Sequence, residues 1–205
     1  MYTPKHNREE DINKLYAFMQ EHSFATLVSA KENIPKATHL PFIIDIDNGL
    51  IKILGHMAKA NDQWRDFEYV KDVLVIFQEP HAYISPKHYE KYLSVPTWNY
   101  VAVHAYGTIR LFETSTEKLR LIERVIQYYE AEFANRLNSY PEKFIDEKLN
   151  AIVAFEVSVN RLESRYKLSQ DRTTIEQENI IRELEQTNDK LKTDIAKLMK
   201  NNLPK

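Results

Sequence analysis

Residues 95–107 read Val-Pro-Thr-Trp-Asn-Tyr-Val-Ala-Val-His-Ala-Tyr-Gly, and both the fold and the functional site can be approached from this stretch. Its alternation of side chains predicts a β-strand. A plain core strand carries aliphatic residues, because each buried polar group needs a partner or costs about 1–3 kcal/mol. A Trp, two Tyr, an Asn and a His on one strand therefore indicate a surface that receives a planar molecule with polar edges.

Residues 55–65 carry a second concentration of polar side chains, namely His56, Lys59, Asn61 and Arg65. Cations and amide donors at a strand end and helix start suit a phosphate monoester, which carries a charge of about −1.5 to −2. The alternative is that the two cations are solvated surface charges and that His56 caps a turn. A third segment of similar character is residues 80–86, interpreted as a loop that exposes His81 between two prolines.

The composition limits the classes of function. A chain of 205 residues with 43% hydrophobic and 28% charged residues is typical of a soluble globular protein. A net charge of −2 gives no general attraction to nucleic acid, and the absence of cysteine excludes thiol chemistry and cysteine-ligated metals. The histidines lack the spacing of a metal motif, so no metal is predicted. No signal peptide or membrane-spanning run is recognisable, which predicts a cytoplasmic protein.

The predicted elements follow each other in an order that does not alternate strands with helices. The pattern predicts a helix at 9–22, strands at 24–29, 37–46, 50–54, 72–78, 97–112 and 151–167, and helices at 116–135 and after Pro141. Asn48-Gly49 predicts a hairpin turn, and Gly107 predicts a bulge or a close backbone approach within its strand. Only three glycines occur in the chain, which excludes a glycine-rich phosphate loop. The order favours an antiparallel sheet or small barrel with attached helices.

The C-terminal segment, residues 174–200, predicts one long charged amphipathic helix. Its apolar seam, with one Asn, has the spacing of a short coiled coil and consists of Ile181, Leu184, Asn188, Leu191, Ile195 and Leu198. A seam this narrow fits either a helix packed on its own domain or a dimer zipper.

These segments occur together in a recognisable order. The set comprises residues 1–4, 37–41, 55–61, 80–86, 95–107 and 167–170. It closely resembles the PaiB family, the FMN-binding negative transcriptional regulators, over residues 1–172. The resemblance implies a mainly β fold with helices (α+β), an antiparallel Greek-key split β-barrel of the pyridoxine-phosphate-oxidase type, followed by a helical segment at 173–205. It also implies a homodimer with FMN at the subunit interface.

The resemblance implies a set of cofactor-binding residues as well. The FMN phosphate is expected near His56 and Lys59, with Arg65 as a further candidate, and the ring is expected to be lined from the facing subunit. The full predicted set is Thr38, His39, His56, Met57, Lys59, Asn61, Gln78, Trp98, Asn99, Tyr100, Lys167, Ser169 and Gln170.

Three functions remain open from the sequence, and one of them is a structural or partner-binding protein that uses its terminal helix. The family implies a regulatory role, but no helix-turn-helix or basic face is recognisable, so direct DNA binding is doubtful and an indirect effect through a metabolite or protein partner is expected. The alternative is a flavin-dependent oxidoreductase that acts on a small molecule with a nicotinamide donor, in which FMN carries the redox chemistry.

Overall fold

The computed structural model describes residues 1–137 and 139–203, and within them it is an α+β protein built on one seven-stranded sheet. The strands are β1 (Phe24–Lys31), β2 (Ile34–Pro41), β3 (Ile43–Asp47), β4 (Leu50–Ala58), β5 (Val73–Ile84), β6 (Thr97–Leu111) and β7 (Ile152–Lys167). The helices are α1 (Ile12–Glu21), α2 (Ser115–Tyr129), α3 (Ala134–Leu137), α4 (Glu142–Asn150), α5 (Thr174–Glu185) and α6 (Lys190–Asn201). Short 3-10 helices lie at Lys5–Asn7, Asp62–Tyr69, Pro86–His88 and Ala131–Phe133.

The chain divides into two compact units. The first comprises Met1–Leu15, Gln78–Val103 and the described part of Glu163–Lys205. The second comprises Tyr16–Phe77 and His104–Leu162. Strands β5, β6 and β7 pass along the chain from one unit into the other, so their two ends belong to different units.

The strand order in the sheet is β2-β1-β5-β6-β7-β4-β3. Strand β1 pairs antiparallel with β2 and β5, and β4 pairs antiparallel with β3 and β7. The turn between β3 and β4 has positive φ at Asn48 (50°) and Gly49 (81°). The hairpin predicted from Asn-Gly is therefore confirmed, because a type I′ turn needs positive φ at both central residues.

The run at 37–46 is not one strand, as the sequence predicted, but parts of two. It divides at Phe42, whose backbone amide donates a 2.9 Å hydrogen bond to the Ser23 carbonyl and whose side chain is fully buried. Before Phe42 the chain pairs with β1, and after it the chain pairs with β4. An apolar run alone does not reveal this change of partner, since both halves are equally suited to a strand.

Strand β6 confirms the predicted close approach at Gly107. A Cβ placed there would lie 2.3 Å from the Ser158 carbonyl oxygen on β7 and 2.9 Å from a methyl of Val157. Real Cβ atoms are not found so close to a backbone oxygen, so only glycine fits without moving one of the strands.

Strand β5 is longer than predicted and corrects the position of His81. The strand continues past Pro80 to Ile84, so His81 is an exposed strand residue and not part of a loop. Prolines at both ends of the segment suggested a loop, but the alternation from Pro80 to Ile84, buried at even positions and exposed at odd ones, is that of a strand.

The C-terminal segment is two helices and not one. Helix α5 ends at Glu185, and α6 begins after Asp189, whose side chain accepts a 3.0 Å hydrogen bond from the amide of Leu191. Thr, Asn and Asp in succession compete with helical hydrogen bonds and favour caps, which explains the break. The seam residues Ile181, Leu184 and Ile195 are buried within the first unit, as expected of helices packed on their own chain.

Other boundaries differ by less. Helix α2 is capped by Thr114, through a reciprocal capping box with Glu117, and ends at Tyr129 rather than at residue 135.

No helix in the described ranges is long and apolar enough to cross a membrane. The division into a flavin-binding domain at 1–172 and a helical segment at 173–205 stays a prediction.

Replacing Gly107 with Ala should lower the free energy of unfolding by about 1–3 kcal/mol, because the added methyl forces β6 and β7 apart. Urea or thermal unfolding measures the change. The neighbouring substitution Thr108→Ala, at an exposed position, is the control and should change stability by less than about 0.5 kcal/mol. Equal stability of the two variants would contradict the close approach.

Candidate functional site

In the second unit, Thr38 and Asn61 belong to a hydrogen-bond network centred on Gln63. Asn61 donates to Thr38 Oγ1 (2.9 Å), and Thr38 in turn donates to Gln63 Oε1 (2.5 Å). Asn61 also caps the 3-10 helix Asp62–Tyr69 by accepting from the Gln63 amide (3.1 Å). The structure thus brings together two of the predicted residues from distant parts of the sequence.

Gln63 was missed by the sequence analysis. Its side chain is fully buried, and its amide nitrogen donates to the carbonyls of Leu27 (3.2 Å) and Lys36 (3.1 Å) and to Ser29 Oγ (3.1 Å). The amide nitrogen has two N–H donors, so two of these three acceptors share one of them, and neither donor is left unpaired by burial. The network fixes the 3-10 helix against β1 and β2, and its only signal in the sequence was a polar residue two positions after a capping Asn.

His56 lies on β4 with its ring partly buried. Its Nδ1 is buried and has no hydrogen-bond partner among the described residues. Burial also lowers the pKa of His56 below its usual value, because the charged ring is poorly solvated there. The next residue, Met57, points to the opposite face and is buried in the core, so its predicted contact with the cofactor is not favoured by this geometry.

Lys59 follows the end of β4, and its backbone amide is held by the Ala151 carbonyl at 2.8 Å. Its side chain is exposed, and no carboxylate within the described ranges forms an ion pair with it. Trp64 donates its indole N–H to the Lys59 carbonyl (3.1 Å), and the Arg65 guanidinium lies 5.6 Å from the Trp64 ring. The backbone at Lys59 is therefore fixed while its ammonium group is available.

His39 lies apart from Thr38 on the opposite face of β2. It is exposed, and its Nδ1 lies 2.9 Å from Thr26 Oγ1 on β1. Strand β2 is an edge strand of the sheet. Alternation along the strand means that Thr38 and His39 cannot both face one pocket within one chain.

In the first unit, Trp98 is the centre of an exposed aromatic group. About half of its surface is exposed, and its ring packs against His81 (5.5 Å between centroids) and Tyr83 (6.0 Å, edge to face) on β5. Gln78 also lies on β5 and is exposed. This group offers aromatic faces of the kind that stack on a planar ligand.

Asn99 and Ser169 are together but buried. Asn99 is completely buried, and its amide donates to Ser169 Oγ (3.0 Å) and contacts the Met199 sulfur (3.4 Å). Ser169 donates back to Asn99 Oδ1 (3.1 Å) from a backbone position with φ of 61°. In this arrangement both side chains join the end of β7 to β6 and α6, and their contact with a cofactor stays a prediction that the geometry does not favour.

Tyr100 and Lys167 remain accessible. The Tyr100 ring lies 5.4 Å from the guanidinium of Arg165, and the Lys167 ammonium contacts Thr97 Oγ1. Gln170 is engaged with its own turn, because it accepts from the Leu168 amide (2.7 Å) and donates to the Tyr166 carbonyl. Arg165 was missed, although its position two residues before Lys167 on a predicted strand places both on one face.

The predicted site residues therefore fall into two groups, one in each unit. Those in the second unit are Thr38, His39, His56, Met57, Lys59 and Asn61, and those in the first are Gln78, Trp98, Asn99, Tyr100, Lys167, Ser169 and Gln170. The first-named group offers a donor set for an anion, and the other offers aromatic faces. No cluster of three His, Asp or Glu side chains suited to a metal ion occurs in the part of the chain that the structure describes.

A family model described as "Putative FMN-binding domain" matches residues 1–161. The chain belongs to this family. It is also 37% identical to "Protease synthase and sporulation protein PAI 2" of Bacillus subtilis (strain 168), over 100% of this chain and 99% of that protein. The predicted membership of the PaiB family is thereby confirmed, and FMN is the cofactor of the family to which the chain belongs.

Solved structures share the fold. The flavocytochrome Anf3 from Azotobacter vinelandii matches with a TM-score of 0.61 at 14% identity, over 77% of this chain and 68% of that one. The FAD and heme binding protein from Mycobacterium smegmatis matches with a TM-score of 0.61 at 12% identity, over 78% of this chain and 73% of that one. At such identities the likeness concerns the fold alone, and the predicted split-barrel fold class is confirmed.

Acidification from pH 7 towards pH 5 should destabilise the protein in part through His56. The pKa of His56 is lowered by burial, so the unfolded chain binds the proton more readily and stability is lost as the pH falls through about 6.5. His56→Gln should reduce this loss, measured as the difference in Tm between pH 7 and pH 5. The exposed, non-titrating variant Gln127→Ala should keep the wild-type difference, and an unchanged difference in His56→Gln would contradict the assignment.

Proposed function

We propose that this protein binds FMN with the flavin phosphate held by His56 and Lys59. The observation that carries the proposal is the buried Nδ1 of His56, which has no hydrogen-bond partner among the described residues and lies three positions before a lysine without an ion pair there. A phosphate monoester supplies acceptor oxygens for both groups. The donor set therefore fits the phosphate of FMN, the cofactor of the family to which the chain belongs.

Four other predicted residues, Thr38, Asn61, Trp98 and Tyr100, have supporting roles in this proposal. The network of Thr38, Asn61 and Gln63 holds the segment after β4 in place, so that Lys59 begins from a fixed backbone. The aromatic faces of Trp98 and Tyr100 would bind the flavin ring from a second subunit. FMN supplies the capacity for one- and two-electron redox chemistry when bound, and the protein orients it and excludes water.

Lys59→Ala should weaken FMN binding about tenfold or more, because one charge-assisted hydrogen bond to the phosphate is lost. Titration followed by flavin absorbance or fluorescence measures the Kd. Riboflavin, which lacks the phosphate, should bind equally to wild type and variant. Lys71→Ala, also an exposed lysine of the second unit, is the matched control.

The phosphate assignment would be wrong if Lys59→Ala bound FMN as tightly as Lys71→Ala does. A wild-type protein that is colourless and does not bind added FMN would contradict the flavin function itself.

We include homodimer formation in the proposal because of an apolar surface in the first unit. Tyr92 (98% exposed), Leu93 (91%) and Val95 (72%) lie in the segment that leads to the exposed Trp98. Several large apolar side chains exposed in one short segment mark an interaction surface. A second copy of the chain is the partner that would also bring Trp98 and Tyr100 to a flavin bound by the other subunit.

Leu93→Glu should shift the protein from dimer to monomer, because a charge would be buried at the interface. Sedimentation velocity over a range of concentrations measures the shift. Ile34→Glu, a matched change at an exposed position of the second unit, should leave the dimer intact. A wild-type protein that sediments as a monomer at all concentrations would refute the dimer.

The biological role that we propose is regulatory and indirect. Support comes from the name of the Bacillus subtilis relative, which refers to protease synthesis and sporulation, and from a net charge of −2 that does not favour DNA. A metabolite or a protein partner would then connect the flavin to regulation. The oxidoreductase function and the cytoplasmic location stay predictions, and bleaching of the bound flavin by a reduced nicotinamide would favour the former.

A further inference from the structure

The end of β7 carries two cations, Arg165 and Lys167, that share one face of the strand. Arg165 donates from Nη1 to the Tyr2 carbonyl at 3.0 Å, and the Lys167 ammonium contacts Thr97 Oγ1 on β6. Both side chains are half-buried. These contacts fix the positions of the two charges, which we call the Arg165–Lys167 pair.

The positive charge of this pair is not neutralised by an ion pair within residues 1–137 and 139–203. Glu163, the preceding residue on the same face, contacts the α-amino group of Met1. The Nε of Arg165 is buried and has no hydrogen-bond partner among these residues. A partly buried guanidinium with an unused donor is costly unless a further group satisfies it.

The electrostatics of Lys167 agree with this geometry. Its pKa is lowered by burial first, and then by the positive charges of Arg165 and Arg172, against an opposing effect of Asp171. Like charges held together in a partly desolvated position repel each other. An anion bound between Arg165 and Lys167 would offset their mutual repulsion and accept a hydrogen bond from the unpaired donor of Arg165.

Aromatic rings border the pair. The Arg165 guanidinium lies 5.4 Å from the centroid of Tyr100 and 5.7 Å from that of Tyr2, and the Tyr2 ring is 80% exposed. Contact with aromatic rings restricts the orientation of the guanidinium group, whose N–H donors match the geometry of a planar acceptor such as a carboxylate. The exposed Tyr2 ring offers an apolar surface to the rest of a ligand.

We propose that the Arg165–Lys167 pair binds the carboxylate of a second ligand, an aromatic or other planar organic acid, distinct from FMN. The acid would be the small molecule that the flavin protein recognises. In this one respect the inference rests on the proposed function; binding of the acid itself does not depend on FMN. The phosphate of FMN is the other anion with suitable chemistry, and the experiments below separate the two.

The first experiment measures binding of benzoate to the flavin-free protein by calorimetry, at constant ionic strength. Wild type should bind it, and Arg165→Gln should bind it at least about tenfold more weakly. Arg165→Lys, which keeps the charge without the fork, should fall between them, and Arg182→Gln, an exposed arginine of the same unit, should match wild type. Absent benzoate binding in wild type, or equal binding in Arg165→Gln, would overturn the proposal.

The second experiment compares the preference for FMN over riboflavin in wild type and Arg165→Gln. An unchanged preference supports a separate acid site, whereas a lost preference would assign the pair to the FMN phosphate and overturn the proposal. If wild type binds benzoate through Arg165 but does not bind FMN, the acid site stands and only the flavin function fails. Should Arg165→Gln lose its cooperative unfolding transition, Lys167→Gln provides the same benzoate test, and undiminished binding there overturns the proposal.

Discussion

The ring of Phe42 lies directly on Gly55, and the orientation of β4 depends on this contact. A Cβ at Gly55 would lie 2.9 Å from the Phe42 ring, so the ring occupies the space that any other residue would need. The centroid of the Phe42 ring also lies 6.3 Å from the ring centroids of Phe77 and Phe155. With Gly55 facing this aromatic core, alternation places Met57 inside as well and turns His56 to the other face. The candidate phosphate site therefore depends on a core contact made one residue earlier.

In the first unit, the same alternation separates the exposed side chains that could contact a ligand from the buried ones that hold the strand in place. Trp98 and Tyr100 lie on one face of β6, while Asn99 between them is buried and hydrogen-bonded to Ser169. The buried amide is satisfied on its own side, so the strand can carry exposed aromatic side chains without leaving a polar group unpaired. On β7 the same rule places Arg165 and Lys167 together. Strand parity thus decides which of the polar residues face outward.

Local patterns predicted much of the fold. The Asn48-Gly49 turn and the close approach at Gly107 were predictable because a glycine in a turn or strand marks a backbone that needs positive φ or has no room for a Cβ. The division at Phe42 and the break between α5 and α6 were not predicted. At Phe42, packing decides which strand the chain pairs with; between α5 and α6, the capping Asp189 decides where the new helix begins. The local sequence is compatible with either conformation in each case, because intrinsic secondary-structure propensities differ too little to select one.

The sequence by itself determined the family, the cofactor and the types of residue that could bind it, because these follow from motifs that are read along the chain. Only the tertiary structure decided which of those residues are accessible. It buried Met57 and Asn99, and it joined Thr38 to Asn61 directly and both of them to Gln63. The physical reason is that burial and hydrogen-bond partners come from strands distant in sequence, and no local pattern specifies them.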